Sequence, residues 1–151
     1  MRKRLAALLA IVGIAAGGCN DTFESSLPEV TVRFTCSLAQ APYYRLTTPG
    51  QFLKVTENPN HLPVGYGGII IGQSIYSDGN DYVAFDAACP VEARRDVSVE
   101  VQDDGLGTAI CPTCHTKYNL SLSGAPVEGE GTEYLKHYSV SVSGTTLIVT
   151  N

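Results

Sequence analysis

Hydrophobic and polar residues alternate along most of this chain with a period of two. Val30, Val32 and Phe34 interleave with Thr31, Arg33 and Thr35, the pattern of a strand with one buried face. Ile69-Ile70-Ile71, bracketed by glycines from Gly67 to Gly72, forms a short apolar run and predicts a strand covered on both faces. Tyr82-Val83-Ala84-Phe85 follows the turn signal Ser77-Asp78-Gly79-Asn80. Val97, Val99 and Val101 alternate again, and Asp103-Asp104-Gly105 turns the chain into Thr108-Ala109-Ile110. Near the end, Tyr138, Val140 and Val142 alternate with serines. Ser143-Gly144 then leads into Thr146-Leu147-Ile148-Val149, which predicts a terminal hairpin. The Pro-rich stretch 40–63 fits no period, and no helical stripe of useful length follows the first nineteen residues. Many short strands separated by Gly, Pro, Asn and Asp predict an all-β antiparallel sandwich or barrel.

The 151 residues include 44% hydrophobic and 17% charged positions, a globular composition with room for one sizeable core. Ten basic residues stand against fifteen acidic ones, for a formal charge of -5. Beyond the first four residues the one adjacent basic pair is Arg94-Arg95, which argues against a nucleic-acid partner. The sequence has no Ser-His-Asp order, phosphate loop, HExxH or paired-carboxylate signature. A stand-alone enzyme is therefore not expected.

Residues 1–18 read as a secretory leader: Arg2-Lys3-Arg4, an apolar run from Leu5 to Ala16, then small residues up to Cys19. The run is shorter than the roughly 20 residues of a membrane span. Ala16-Gly17-Gly18-Cys19 resembles the bacterial lipobox, which implies cleavage before Cys19 and lipidation of that residue. Residues 19–28 then form a polar tether and 29–151 the folded domain. Removing the leader leaves seven basic residues against fifteen acidic ones, so lipid rather than charge would hold the protein at a membrane. Acidic residues close behind Cys19 resemble the surface-export signals of Bacteroidetes lipoproteins, which implies the outer membrane as the location.

The chemistry-bearing residues lie between Cys89 and His115. Cys89-Pro90-Val91-Glu92 and Cys111-Pro112-Thr113-Cys114 are two Cys-Pro-x-x turns, each coming off a strand. Turns of this knuckle type point backbone N–H groups at the first sulfur and so favour the thiolate, the form that binds metal. The second knuckle is complete; the first carries Glu92 where the second has Cys114. Zinc accepts carboxylate oxygen, so Cys89, Cys111 and Cys114 with Glu92 or His115 make one candidate metal set. A disulfide between two of the three cysteines, or a site that binds nothing and only shapes the turns, are the other outcomes. Four cysteines besides Cys19 could also pair as two disulfides. Cys36 has no knuckle around it and reads as a small buried hydrophobe. A thiol–disulfide enzyme built on Cys111-Pro112-Thr113-Cys114 is disfavoured, because that motif opens a helix and here sits among strands.

From Phe85 to Val149 the chain resembles a Rieske iron-sulfur domain. Cys89-Pro90-Val91 stands for Cys-Pro-His. Cys111-Pro112-Thr113-Cys114-His115-Thr116-Lys117-Tyr118-Asn119 stands for Cys-Pro-x-His-Gly-x-x-Phe-Asp. Ser123-Gly124, Gly129-Glu130-Gly131 and Leu135-Lys136-His137-Tyr138-Ser139-Val140 follow in the family order. The resemblance implies a Rieske-like β domain with a two-knuckle subdomain at about 87–131, a 2Fe-2S cluster and electron transfer to an unidentified partner. It also implies that Cys89 and Cys111 share one iron. Val91 and Cys114 occupy the positions of the two family histidines, and His115 stands where the family has Gly. This combination makes the domain degenerate, as in Rieske-like lipoproteins of Bacteroidetes. Zinc in a non-catalytic scaffold is the alternative. Of the other residues, Tyr118 reads as packing under the second knuckle, His61 as a loop residue and His137 as solvent-facing. Tyr43-Tyr44 reads as a core anchor or a binding patch.

Overall fold

The computed structural model describes residues 25–79 and 81–151. The leader and Cys19 lie outside the described residues. Among the described residues, ten strands form two antiparallel sheets: β1 (Arg33–Ser37), β2 (Phe52–Val55), β3 (Ile69–Gln73), β4 (Tyr82–Asp86), β5 (Glu100–Val101), β6 (Thr108–Ile110), β7 (Lys117–Asn119), β8 (Ala125–Glu128), β9 (His137–Ser143) and β10 (Thr146–Thr150). The larger sheet has the order β1-β10-β9-β4-β3-β2 and the smaller β5-β6-β7-β8. The smaller sheet is an insertion between β4 and β9, which pair directly through Ala84↔Tyr138 and Phe85↔His137. The all-β architecture expected from the pattern is present, with a second, smaller sheet.

Pleating explains how the two sheets share a core. Successive side chains of a strand point to opposite faces. Ile69, Ile71 and Ala84 therefore join a first core with Phe34, Leu46, Leu147 and Val149. Ile70 and Phe85 join a second with Val99, Ala109, Tyr118, Leu120 and Leu135. All five residues of β3 are buried, as the Ile run predicts. Each fully buried Ile, Leu or Phe contributes about 1.5–3 kcal/mol relative to exposure. Cys36 sits in the first core, and burial pushes its thiol up to about 11.

The structure departs from the sequence pattern in several places. The first strand begins at Arg33 rather than Val30, although Val32 is buried just ahead of it. The valine alternation at 97–101 yields only Glu100–Val101 as a strand, with an isolated bridge from Ser98 to Ala88. β2 lies inside the stretch that fits no period, beside a 3-10 turn at Tyr43–Thr47 whose Leu46 is fully buried. Tyr43 meets Phe34 edge-on at 6.0 Å, whereas Tyr44 is exposed.

His137 is half-buried rather than fully on the solvent face that its place in the terminal strand suggests. Pairing with Phe85 carries it under the smaller sheet, where its ring meets Phe85 at 4.9 Å and Nε2 lies 2.9 Å from Ser123 O. Burial lowers its pKa. Lys136 next to it is only 6% exposed. Its ammonium donates to Leu27 O at 3.3 Å, Pro28 O at 3.1 Å and Glu29 Oε1 at 2.8 Å, using all three donors. The stretch read as tether is thus docked by its last residues: Leu27 is buried, and Ser26 N donates to Glu133 Oε2 at 3.0 Å. Lys136→Met keeps the apolar stem and removes three charge-assisted bonds, each worth about 1.5–3 kcal/mol in such settings. Amide exchange at Leu27 and Val32 should accelerate at least about 10-fold, with exchange in β3 unchanged. Unchanged exchange at Leu27 would count against the docking.

Candidate metal centre

The two knuckles share a bond from the fifth residue back to the first. In the first, Cys89 N donates to Val97 O at 3.0 Å and Ala93 N donates back to Cys89 O at 2.9 Å. In the second, Cys111 N donates to Thr116 O at 3.0 Å and His115 N donates to Cys111 O at 3.1 Å. Proline after each cysteine presets its own φ for the turn and leaves no N–H to satisfy. The fifth residue of each is left-handed, Ala93 at φ 48° and His115 at φ 59°. That conformation is one that glycine adopts without the strain a side chain brings. β4 delivers the first knuckle and the β6–β7 hairpin the second.

The sulfurs of Cys89, Cys111 and Cys114 lie within 4.8 Å of one another. Cys89 and Cys114, twenty-five positions apart in sequence, approach to 3.6 Å. A tetrahedral ion with Zn–S bonds of about 2.3 Å needs sulfurs about 3.8 Å apart, whereas a disulfide needs about 2.05 Å. The 3.6 Å between Cys89 and Cys114 lies near the first value and far from the second. Cys36 lies in the other core, across the β3–β4 sheet, so pairing all four cysteines as two disulfides lacks a partner for it.

Glu92 and His115, the sequence candidates for a fourth ligand, stand outside this group. His115 is exposed and occupies the left-handed position that closes the knuckle. Glu92 is partly buried, but its carboxylate does not join the three sulfurs. Val91 ends in methyl groups, is 39% exposed and donates nothing. The two-Cys, two-His group of the sequence resemblance therefore does not fit these residues. One of its nitrogen positions is a hydrocarbon, and the sulfur at the other is drawn in beside Cys89 and Cys111.

The environment divides the thiols. Cys89 is fully buried, and burial pushes its thiol up to about 12 against the opposing backbone N–H groups of Glu92 and Val91. For Cys114, burial acts to raise the pKa. The Thr116 hydroxyl and N–H, with the other two cysteines, outweigh it and hold the thiol below its usual value. Cys114 is also the one of the three with partial exposure. In metal-free protein, iodoacetamide at neutral pH should label Cys114 at least about 10-fold faster than Cys89 or Cys111, read by peptide mass mapping. Equal rates would refute this division.

Two residues at the centre have contacts with the sulfurs that the sequence reading did not assign. Thr116 Oγ1 lies 3.3 Å from Cys114 Sγ and accepts from Gly131 N at 3.2 Å. Tyr118 is fully buried, as its packing role requires, but its hydroxyl also reaches Cys89 Sγ at 3.7 Å. Burial, then Cys89, raises the Tyr118 pKa, so it stays a donor. Thr116 meets Cys114 through the left-handed turn at His115, and Tyr118 follows two positions on in β7, on the same face as Thr116. Gly129 and Gly131 close over this face. A Cβ on Gly129 would meet Thr116 Cα at 2.7 Å, so the loop tolerates no side chain there.

No protein-family model matches the chain, and no curated protein matches it. Among solved structures, the chain is similar to the ferredoxin of carbazole 1,9a-dioxygenase from Nocardioides aromaticivorans IC177. That match has 18% identity and a TM-score of 0.47, over 80% of this chain and 97% of that one. It is also similar to a chain from the complex of reduced oxygenase and oxidized ferredoxin in carbazole 1,9a-dioxygenase. There the identity is 16% and the TM-score 0.47, over 79% of this chain and 93% of that one.

Proposed function

We propose that the two knuckles form a three-thiolate centre for a single thiophilic divalent ion, zinc, in a non-catalytic module of an exported lipoprotein. The observation that carries this reading is the convergence of the Cys89, Cys111 and Cys114 sulfurs within 4.8 Å of one another, with Cys89 and Cys114 at 3.6 Å. Bound zinc would tie β4 to the β6–β7 hairpin and neutralise buried thiolates. This chain's own residues do the rest. Backbone N–H groups of the first knuckle and the Tyr118 hydroxyl point at Cys89, and Thr116 orients Cys114. The lipobox resemblance supports anchoring through lipid on Cys19, with the outer membrane as the expected location. Cys19→Ser should then move the protein from the membrane fraction to the soluble one.

Electron transfer is the second reading, with iron at the same sulfurs and a protein redox partner. It is favoured by the order of the second knuckle, the Gly129–Gly131 loop packed on Thr116, and the β9–β10 hairpin, which follows the Rieske-like order of the sequence. Metal and acid-labile sulfide analysis of the purified protein separates the two. About one zinc per chain without sulfide is expected. Iron with sulfide overturns the zinc reading in favour of electron transfer, and no metal at all overturns both.

A further inference from the structure

The chain ahead of β1 does not leave the domain at β1. That strand lies at one edge of the larger sheet, and β4, which delivers the first knuckle, is three strands away, about 14 Å across the sheet. The preceding segment crosses this width. Lys136 Nζ holds the carbonyls of Leu27 and Pro28 and the Glu29 carboxylate, and Leu27 is only 3% exposed. Ser26 then reaches the knuckle itself: its hydroxyl donates to Pro90 O at 3.4 Å and its N–H to Glu133 Oε2 at 3.0 Å. Pro90 and Glu133 line one cleft, together with Val91 and residues 130–132. We propose that this end of the domain, the first knuckle with residues 130–133, is the membrane-facing end of the anchored protein, held within about 30 Å of the lipid surface by the docked segment. The inference rests on the lipid-anchor reading above.

Chain length carries the argument. Ser26 follows Cys19 by seven positions. Seven residues span at most about 25 Å however they fold, and about 15 Å on average as a flexible chain. Without the contacts of residues 26–29, the free length would run to Arg33, with a reach of about 50 Å. Docking therefore halves the reach and moves the exit from the sheet edge to the knuckle. A domain of about 120 residues is roughly 35 Å across, so the short tether cannot bring the far end to the lipid as readily as the near one. The Ser143-Gly144 turn marks that far end. β9 starts beside Phe85 at His137 and reaches Ser143 six residues later, about 20 Å further from the knuckle.

Charge sets how this end meets the lipid. Glu130 and Glu133 line its cleft, so an anionic surface repels it while the anchor retains it. The knuckle stands off from the surface and does not insert. A partner that meets it has to work within about 30 Å of the lipid.

The test uses the whole lipidated chain in phosphatidylcholine vesicles that carry an acceptor dye on lipid headgroups. A donor dye is attached to p-azidophenylalanine in place of Val91, at the knuckle, or of Ser143; both positions are exposed. Energy transfer from position 91 should be at least about 2-fold more efficient than from position 143. Inserting about twenty Gly and Ser residues between Glu24 and Ser25 lengthens the tether, keeps the docked contacts and should remove most of that difference. Equal transfer from the two positions, more transfer from 143, or a difference undiminished by the insertion would each overturn the proposal while leaving the lipid anchor intact. A chain that stays in the soluble fraction would overturn the lipid-anchor reading, and this inference with it.

Discussion

Cys89→Ser is expected to lower zinc affinity by at least about 100-fold and to abolish most of the metal-dependent stability of the domain. Loss of a group that merely orients a ligand costs metal sites about 10–100-fold, and Cys89 is itself one of three ligands in the proposed centre. A serine hydroxyl is close in size but stays protonated in a fully buried position where even the thiol is pushed up to about 12. With free zinc at about 1,000 times its dissociation constant, the wild-type chain should gain about 4 kcal/mol. In a domain of this size that is roughly 10 °C in Tm, and the variant should gain little. Cys36→Ser provides the control: its thiol is also buried, but in the first core, so it should leave zinc affinity unchanged. Competition against a chromophoric chelator measures the affinities. Equal affinity in wild type and Cys89→Ser would remove the three-thiolate centre from consideration.

Asp86→Asn is expected to destabilise the fold by about 3 kcal/mol or more, roughly 10 °C in Tm. Asp86 is fully buried and accepts four hydrogen bonds. Oδ2 takes the Tyr138 hydroxyl at 2.6 Å and Tyr66 N at 2.5 Å. Oδ1 takes Gly67 N at 2.9 Å and Ala88 N at 2.8 Å. All the neighbours are donors, so an amide NH₂ at either oxygen position faces two of them, loses both bonds and leaves buried donors unsatisfied. The residue sits three positions before Cys89 and ties the root of the first knuckle to the 66–67 turn. Gly67 allows this close approach, since a Cβ there would meet Ala88 backbone atoms at 2.8 Å. Tyr138→Phe removes one donor of four and should cost about 1–2 kcal/mol. Thermal unfolding of the metal-free proteins checks both values. An Asp86→Asn variant as stable as wild type would show that the carboxylate is not needed.

Parts of this architecture are legible because their cause is local. The Ile69–Ile71 run lies in a strand buried on both faces, since apolar side chains on consecutive residues leave neither face for water. Thr146–Thr150 folds back on His137–Ser143 through the Ser143-Gly144 turn. β2 was not legible: its four residues are all half-buried, with no alternation, and it becomes a strand by pairing with β3. β7 and β8, of three and four residues, are too short to show a period and carry a bulge in their register. Asp86 gave no signal either, because the donors that surround it come from three separate segments.

The amino-acid sequence alone determined the elements that a few neighbouring residues can build. These are the alternating strands, the terminal hairpin and the two Cys-Pro turns, each closed by a bond from its fifth residue back to its first. The tertiary structure decided what meets across the chain. It placed Cys114 beside Cys89, left Glu92 and His115 outside the sulfur triangle, and buried Lys136 under the N-terminal segment. The physical reason is range. A turn or a period-two strand is encoded by contacts within about five residues, whereas the approach of sulfurs twenty-five positions apart depends on the register and stacking of two whole sheets.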